Sequence, residues 1–340
     1  MGEPPSSPRS CPGRLRDNHR GPAAAVGPLR WRLGVAFRFS RCEWATLHGI
    51  LPRVKRAATP ILDHRVFHAT LARVRPQAIA VDLDGTLLDP AGEVSLASRR
   101  ALSSALEAGL YIVPITARSP RGLENALANT PTSRIAVASL GAIVWDRVEG
   151  LVLQSRCLAS ADAEEIIAKA RTTAFRATVA VEIISDLYVD PGFPMASSSA
   201  VIVNDLRITD LAHIGAPTKI LLCPQDVAEL GALAGWLADQ FGETASVIPR
   251  PGGWVEVLAH RVDKGSGLLA ACKHYAISPD RIVAIGDEAT DIAMFDLAGV
   301  PVAMPLALPR VKSHAVETGI SSADFVAAVL MAVVNARRSE

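Results

Sequence analysis

The sequence predicts an α/β fold in which a largely parallel sheet has helices on both faces, with a smaller α+β unit inserted into it. Short apolar segments rich in strand-forming residues recur in the body of the chain, at 77–83, 111–115, 135–138, 282–285 and 300–304. Helix-like segments separate several of them, which is typical of parallel strands buried on both faces. The region 156–258 differs, because its strand-like segments have few helices between them. We therefore expect a core at about 77–155 and 259–340 and an inserted unit at 156–258.

The predicted helices carry start and stop signals. Ser95 is placed to cap a helix that runs to about Ala108, where Gly109 would end it. Ser119 followed by Pro120 is the pattern of an N-cap residue with proline at the first helical position. In the inserted unit we expect helices at 162–171 and 226–241, a loop at 191–199, and strands at 178–185, 187–190, 219–223, 245–248 and 254–258.

The composition is that of a globular protein. Of the 340 residues, 49% are hydrophobic and 20% are charged, which excludes a wholly disordered chain and a small disulfide-stapled protein. No uncharged run approaches the roughly 18–20 residues that a membrane-spanning helix needs, so we expect no membrane partner. The cysteines show no CxxC or metal-binding spacing. Cys157, Cys223 and Cys272 lie in apolar stretches, and we expect reduced thiols of a cytoplasmic protein.

The first 76 residues differ in charge from the rest of the chain. They contain 14 basic and 4 acidic residues, whereas residues 77–340 contain 21 basic and 30 acidic residues. We expect a poorly ordered extension, because residues 1–30 are rich in Pro, Gly, Ser and Arg and lack an apolar period. A nucleic-acid or anionic-membrane patch and a transit-like leader are the alternatives. We place no function in this extension and do not expect nucleic acid to be the main partner.

The strongest sign of chemistry is the segment DLDGT, which ends the first predicted core strand. Asp82 and Asp84 are two residues apart, so their carboxylates share a face of an extended strand. Both can address a pocket at the carboxyl edge of the sheet, where open α/β sheets bind ligands. Paired carboxylates there suit a hard divalent cation and nucleophilic chemistry on a phosphoryl group. The alternative is a strand that ends in a solvated Asp turn.

Three further segments place polar groups at strand ends or helix starts. Thr116 follows the second core strand, where a hydroxyl is suited to hold a phosphate oxygen. Lys264 opens a predicted helix and supplies fixed positive charge for phosphate. Asp287 and Asp291 follow the strand 282–285, and their carboxylates suit Mg²⁺. Taken singly, these residues are also explained as a helix cap, a solvated lysine and an acidic helix start, but the four segments in this order are hard to obtain by accident.

Together the segments resemble the four motifs of the haloacid dehalogenase (HAD) superfamily of aspartyl-phosphate phosphatases, over about residues 77–340. The spacing between Arg118 and Lys264 leaves room for an inserted cap, and the order of elements resembles the Cof-like subfamily. The resemblance implies a Rossmann-like parallel-sheet core, with 156–258 as a cap that closes over the substrate and sets specificity.

The resemblance also implies catalytic roles. Asp82 would be the nucleophile and Asp84 the general acid and base. Thr116 and Lys264 would bind the transferring phosphoryl group, and Arg118 would contact the substrate. Lys264 is needed on physical grounds as well, because a dianionic phosphate repels an anionic nucleophile.

The implied cofactor is Mg²⁺. It would bind the Asp82 carboxylate, the Asp84 backbone carbonyl and Asp287, with Asp291 in support. The expected activity is a Mg²⁺-dependent phosphomonoesterase. Its substrate would be a small phosphorylated metabolite, such as a sugar phosphate or a phosphorylated cofactor.

The sequence departs from the family pattern at three positions where members often carry Asn, namely Leu140, Thr290 and Leu306. The polar network around phosphate and metal would therefore have fewer members, and Leu140 could instead present an apolar wall to the substrate. Two alternatives stay open: a phosphotransferase or phosphomutase, and a catalytically weakened HAD-like binding domain.

Overall fold

The structure, a computed structural model, describes residues 32–33, 64–194, 202–205, 215–316, 318–321 and 323–339. Most of the N-terminal extension and of the predicted loop 191–199 lies outside the described residues. The helices are α1 His64–Val74, α2 Leu96–Glu107, α3 Pro120–Ala126, α4 Ser160–Thr172, α5 Leu230–Phe241, α6 Lys264–Tyr275, α7 Ile292–Phe295, α8 Pro309–Lys312 and α9 Phe325–Arg338. Within the described part of the chain, no helix is both long and apolar enough to cross a membrane.

The strands are β1 Arg32–Leu33, β2 Ala78–Val81, β3 Tyr111–Pro114, β4 Ile135–Ala138, β5 Ile143–Asp146, β6 Leu151–Ser155, β7 Thr178–Ile183, β8 Asp186–Val189, β9 Ile202–Asp205, β10 Lys219–Cys223, β11 Ala245–Arg250, β12 Trp254–Ala259, β13 Ile282–Gly286 and β14 Val300–Ala303. The central sheet has the order β14-β13-β2-β3, and all its neighbouring pairs are parallel. A parallel bridge between Ile115 and Val137 links β3 to β4, which begins a second sheet of order β4-β5-β6-β1. The carboxyl ends of β2, β3 and β13 therefore meet at one edge, and the predicted α/β fold is confirmed.

The central strands are apolar throughout because both of their faces are buried. On β2, Ile79 and Val81 belong to the hydrophobic cluster that includes α2 and α9. Ala78 and Ala80 belong to a second cluster, which includes α6 and α7. Each fully buried aliphatic side chain of this kind contributes about 1.5–3 kcal/mol to folding, so this packing fixes the strand ends on which the polar residues sit.

The first helix corrects one expectation. Residues up to 76 were expected to form a poorly ordered extension, but α1 begins at His64 and packs against the core. Phe67 and Leu71 are fully buried, and Val74 packs beside them. The spacing of these three residues is i, i+4, i+7, which places them on one face of a helix. The expectation was wrong for 64–74 because it rested on the basic composition of the segment, which does not reveal the spacing of its apolar residues.

The inserted unit contains a sheet of order β11-β12-β10-β7-β8-β9, in which neighbouring strands are antiparallel except β8 and β9. One face of this sheet packs on α4 and α5 through alternate residues such as Val181, Ile220 and Val257. The predicted helix 226–241 begins with a short 3-10 turn, Val227–Glu229, capped by Asp226. The predicted strands of this unit are present, and the strand β9 was not predicted.

Candidate active site

The polar residues singled out in the sequence lie around the carboxyl edge of the central sheet. Asp82 follows β2 and is buried, and Thr116 lies just beyond β3 and is fully buried. Asp287 follows β13, and Lys264 is the first residue of α6. Asp263 caps this helix by accepting a hydrogen bond from the backbone N–H of Ser266, which fixes the helix start and the position of Lys264.

Lys264 joins two carboxylates that are far apart in the chain. Its Nζ lies 2.6 Å from Asp82 Oδ1 and 2.6 Å from Asp291 Oδ1, and its side chain is 2% exposed. Burial lowers the pKa of Lys264, but the two carboxylates raise it by more, so that the net pKa lies above the usual value. The side chain is therefore a fixed ammonium beside Asp82.

The carboxylates around Lys264 outnumber it. Burial raises the pKa of Asp82 well above its usual value. Lys264 lowers this pKa, but Asp291 and Asp287 raise it and so partly offset the effect of Lys264. Burial also raises the pKa of Asp287, although a hydrogen bond from Thr86 lowers it. The cluster therefore carries excess negative charge when it is ionised.

This donor set fits a hard divalent cation. Among the described residues, Asp82, Asp287 and Asp291 each offer one oxygen within 4.8 Å of the others. Carboxylate oxygens are what Mg²⁺ takes in proteins, usually one or two at a site together with water. A bound Mg²⁺ would also neutralise the excess negative charge.

Asp291 organises the loop that follows β13. Its Oδ2 accepts hydrogen bonds from the backbone N–H groups of Asp287 and Glu288, at 2.9 and 2.8 Å. Its Oδ1 accepts from Lys264. Since both oxygens already have donors, the geometry agrees better with a supporting role than with a primary metal ligand.

Gly85 allows β2 and β13 to bring their acidic residues together. It has φ +79°, and a Cβ built at this position would lie 2.4 Å from Asp287 Oδ2. The next residue, Thr86, donates a hydrogen bond to Asp287 Oδ1 at 2.8 Å. A side chain at position 85 would therefore push Asp287 away from Asp82.

Asp84 lies apart from the buried acidic cluster. Its side chain is 54% exposed and accepts two hydrogen bonds from Arg118, from Nε at 2.8 Å and from a terminal guanidinium nitrogen at 2.6 Å. The hydrogen bond to Asp84 raises the pKa of Arg118. Thr116 Oγ1 accepts a hydrogen bond from the Arg118 backbone N–H, so β3 positions this arginine. The structure thus pairs two predicted site residues with each other.

The three positions that depart from the family pattern have different environments. Leu140 is buried in the hydrophobic core with φ 57°, so the apolar wall expected from it is instead part of the core packing. The hydroxyl of Thr290 is buried and has no hydrogen-bond partner among the described residues. Leu306 is 97% exposed.

Sequence reasoning missed a group of charged residues on the inserted unit that faces this edge, namely Glu182, Lys219, Arg250 and Glu256. A signal was present, because Glu182 in TVAVEI and Glu256 in WVEVLA interrupt strands that are otherwise apolar. A buried charge is costly unless it is paired, so such a residue in a strand calls for a partner or a ligand.

Comparison with known proteins identifies the family. A model of the haloacid dehalogenase-like hydrolases matches residues 79–331, which is most of the chain. The chain belongs to this family. The resemblance seen in the four motifs is thereby confirmed at the level of the family, and the protein is a hydrolase.

Two relatives and one solved structure show the extent of the similarity. The chain is 24% identical over 253 residues to 5-amino-6-(5-phospho-D-ribitylamino)uracil phosphatase YitU of Bacillus subtilis, covering 72% of this chain and 92% of YitU. It is 25% identical to the chloroplastic endoribonuclease YBEY of Arabidopsis thaliana, but spans only 44% of that protein's length. The fold matches that of a HAD/COF-like hydrolase from Plasmodium vivax with a TM-score of 0.67 and 23% identity, covering 79% of this chain and 99% of that one.

Proposed function

We propose that the protein is a Mg²⁺-dependent phosphomonoesterase that forms an aspartylphosphate on Asp82. The observation that carries the proposal is the contact of one buried ammonium, Lys264, with Asp82 and Asp291, beside the carboxylate of Asp287. Mg²⁺ held by Asp82 and Asp287, with Asp291 in support, would supply positive charge to the phosphoryl oxygens.

The chain's own residues account for both steps of hydrolysis. In the first, an oxygen of Asp82 attacks phosphorus, the ester P–O bond breaks, and Asp84 gives its proton to the leaving alcohol. In the second, water attacks phosphorus and the bond between Asp82 and phosphorus breaks. Asp84 takes a proton from that water, and inorganic phosphate leaves. Lys264 offsets the negative charge that accumulates as a phosphate dianion meets the Asp82 carboxylate.

Arg118 links substrate binding to the general acid. A carboxylate that accepts two hydrogen bonds from a guanidinium has no proton to donate, so Asp84 must leave Arg118 before it can act as an acid. A phosphate dianion can accept hydrogen bonds from the same guanidinium N–H groups and would therefore compete with Asp84 for them. Substrate binding would then draw Arg118 towards the phosphate and free the half-exposed Asp84, which must take up a proton from water before it can give one to the leaving alcohol. Thr116, whose Oγ1 lies beside Arg118, would contribute to the same phosphate site.

The substrate would be a small phosphorylated metabolite, such as a sugar phosphate or a phosphorylated cofactor. YitU, which is named as a phosphatase of 5-amino-6-(5-phospho-D-ribitylamino)uracil, supports this class. We place the reaction in the cytoplasm, and the free thiols Cys157, Cys223 and Cys272 support a reducing compartment. The boundaries of core and cap at 156 and 258 are part of the proposal, with the cap closing over the substrate.

The test is phosphate release from 4-nitrophenyl phosphate with and without Mg²⁺. Wild type should turn over only with the cation, and Asp82→Asn should lose at least about 10³-fold in kcat/KM. Asp280→Asn is a matched control, because Asp280 is exposed and lies near the opposite end of β13. Wild-type turnover no faster than that of Asp82→Asn would favour a binding domain, and transfer of phosphate to an added alcohol instead of water would favour a phosphotransferase.

A further inference from the structure

The sheet of the inserted unit has one apolar face and one charged face. Alternate residues of its strands pack on α4 and α5, and the residues between them point the other way. Four of these are charged, and their side chains are no more than 16% exposed: Glu182, Lys219, Arg250 and Glu256. Strand pairing sets their arrangement, because Lys219 lies opposite Glu182 across β10 and β7. We call these four residues the cap-face cluster.

The cap-face cluster contacts three loops at the edge of the central sheet. Lys219 Nζ donates a hydrogen bond to the carbonyl of Ala117, between Thr116 and Arg118, at 3.0 Å. Glu182 accepts one from the hydroxyl of Ser139, which follows β4. Each contact leads to a segment that also carries a residue of the candidate active site or adjoins one.

The third contact involves Arg250, which donates to Glu288, the neighbour of Asp287, at 2.9 Å. Burial lowers the pKa of Arg250, but Glu256, Glu288 and Asp82 together raise it above the usual value. Arg250 therefore lies within the electrostatic reach of the nucleophile. The cap-face cluster therefore forms a wall against the loops around the proposed phosphate site, and a leaving group bound there would lie near this wall.

One atom of the cap-face cluster lacks a donor. Glu256 Oε1 lies 3.2 Å from Lys219 Nζ, but Oε2 is buried and has no hydrogen-bond partner among the described residues. Arg250 Nε is 3.7 Å from Oε2, which is beyond hydrogen-bond range. The carboxylate as a whole is 5% exposed. A buried carboxylate oxygen without a donor is suited to accept a hydrogen bond from a ligand.

The charges of this wall are already matched. Lys219 lies near Glu182 and Glu256, and Arg250 lies between Glu256 and Glu288. Within the described cap-face cluster, no cation is left in excess to meet a second anionic group on a substrate. The wall therefore suits a neutral group that donates hydrogen bonds.

We propose that Glu256 determines specificity by selecting leaving groups that carry hydroxyls and rejecting leaving groups that carry a carboxylate. A substrate hydroxyl would donate to Glu256 Oε2. A carboxylate in the same place would face Glu256 and Glu288 and be repelled. This inference rests on the proposed phosphatase function and assigns the class of leaving group.

The experiment compares glycerol 3-phosphate with 3-phosphoglycerate, which differ by a hydroxymethyl group in place of a carboxylate. Wild type should prefer glycerol 3-phosphate by at least about tenfold in kcat/KM. Glu256→Gln removes the negative charge and keeps the shape. The preference should fall by about tenfold or reverse, with a lower kcat/KM for the hydroxyl substrate and a higher one for the carboxylate substrate.

Two further variants make the comparison specific. Glu256→Asp keeps the charge but shortens the side chain, so it should weaken use of glycerol 3-phosphate while still rejecting 3-phosphoglycerate. Glu165→Gln, on α4 behind the sheet, should leave the ratio unchanged. Thermal unfolding of each variant shows whether it is folded.

The outcomes separate the two proposals. Turnover of 4-nitrophenyl phosphate by wild type tests the phosphatase function without reference to Glu256. If that turnover is absent, the rise in Tm caused by each of the two phosphate esters still measures their binding preference in wild type and Glu256→Gln. A folded Glu256→Gln protein with the wild-type ratio, in turnover or in binding, would overturn the role of Glu256.

Discussion

Two buried charge clusters face each other in this molecule, and they differ in balance. At the sheet edge, one ammonium, Lys264, is shared by the carboxylates of Asp82 and Asp291, with Asp287 nearby. In the cap-face cluster, two cations are matched by two carboxylates. An unbalanced cluster needs a further cation to be stable when ionised, whereas a balanced one is complete without a metal. The difference suggests that the first cluster serves chemistry and the second serves recognition.

The largest expected effect is that of removing the ammonium from the unbalanced cluster. Lys264→Met leaves Asp82 and Asp291 buried without their cation, and we expect a loss of about 3–5 kcal/mol in the free energy of unfolding. Urea unfolding of the metal-free protein measures it. Millimolar Mg²⁺ should restore part of the loss, because a cation bound only by the folded state stabilises that state.

A lysine-to-methionine substitution in the cap-face cluster, whose charges are balanced, provides the comparison. Lys219→Met should cost about 3 kcal/mol, since Glu256 loses its closest cation while Glu182 keeps the hydroxyl donors Ser139 and Thr218. Mg²⁺ should not restore this loss. If Mg²⁺ stabilised both variants equally, the distinction between the two clusters would be wrong.

Much of this arrangement could be predicted from the sequence. The five core segments form strands near the expected bounds, because strands buried on both faces are apolar at every position. The segments that carry Asp82 and Asp287 meet because parallel strands share one carboxyl edge. The hairpin strands β5 and β6 and the last helix α9 were not predicted.

Pairings between side chains were harder to predict from the sequence. Asp84 was expected to act beside Asp82; its half-exposed carboxylate is bound by Arg118, a pairing between distant residues that the spacing along the chain does not reveal. Contacts between the inserted unit and the core, such as that of Arg250 with Glu288, depend on how two sheets are placed against each other. No local pattern encodes that placement.

A smaller effect, of opposite sign, is expected when Asp82, the proposed nucleophile, is replaced. Asp82→Asn should raise the free energy of unfolding of the metal-free protein at pH 7 by about 1–2 kcal/mol, because it removes one negative charge from the unbalanced cluster. The raised pKa of Asp82 means that the folded state holds its proton more tightly than the unfolded state does. The ionised carboxylate is therefore destabilising, and this cost disappears as the pH falls to the usual pKa of an aspartate.

The measurement is the free energy of unfolding of wild type and Asp82→Asn between pH 7 and pH 4, in the presence of a chelator. The gap between the two proteins should narrow as the pH falls. Addition of Mg²⁺ at pH 7 should stabilise wild type more than the variant. A variant that is less stable than wild type at pH 7 without metal would contradict the excess of negative charge.

The smallest effect is expected for an ion pair outside both clusters. Glu165 and Lys169 form an i,i+4 pair on α4 at 2.6 Å, but both side chains are about half exposed. Water and salt screen such a pair, so Glu165→Gln should change the free energy of unfolding by less than about 0.5 kcal/mol, and less still at high salt. Thermal unfolding at low and high ionic strength checks this. If Glu165→Gln lowered the free energy of unfolding as much as Lys219→Met, burial would not be the reason that ion pairs in the two clusters contribute more than ion pairs on the surface. The ranking of all the effects above would then be wrong.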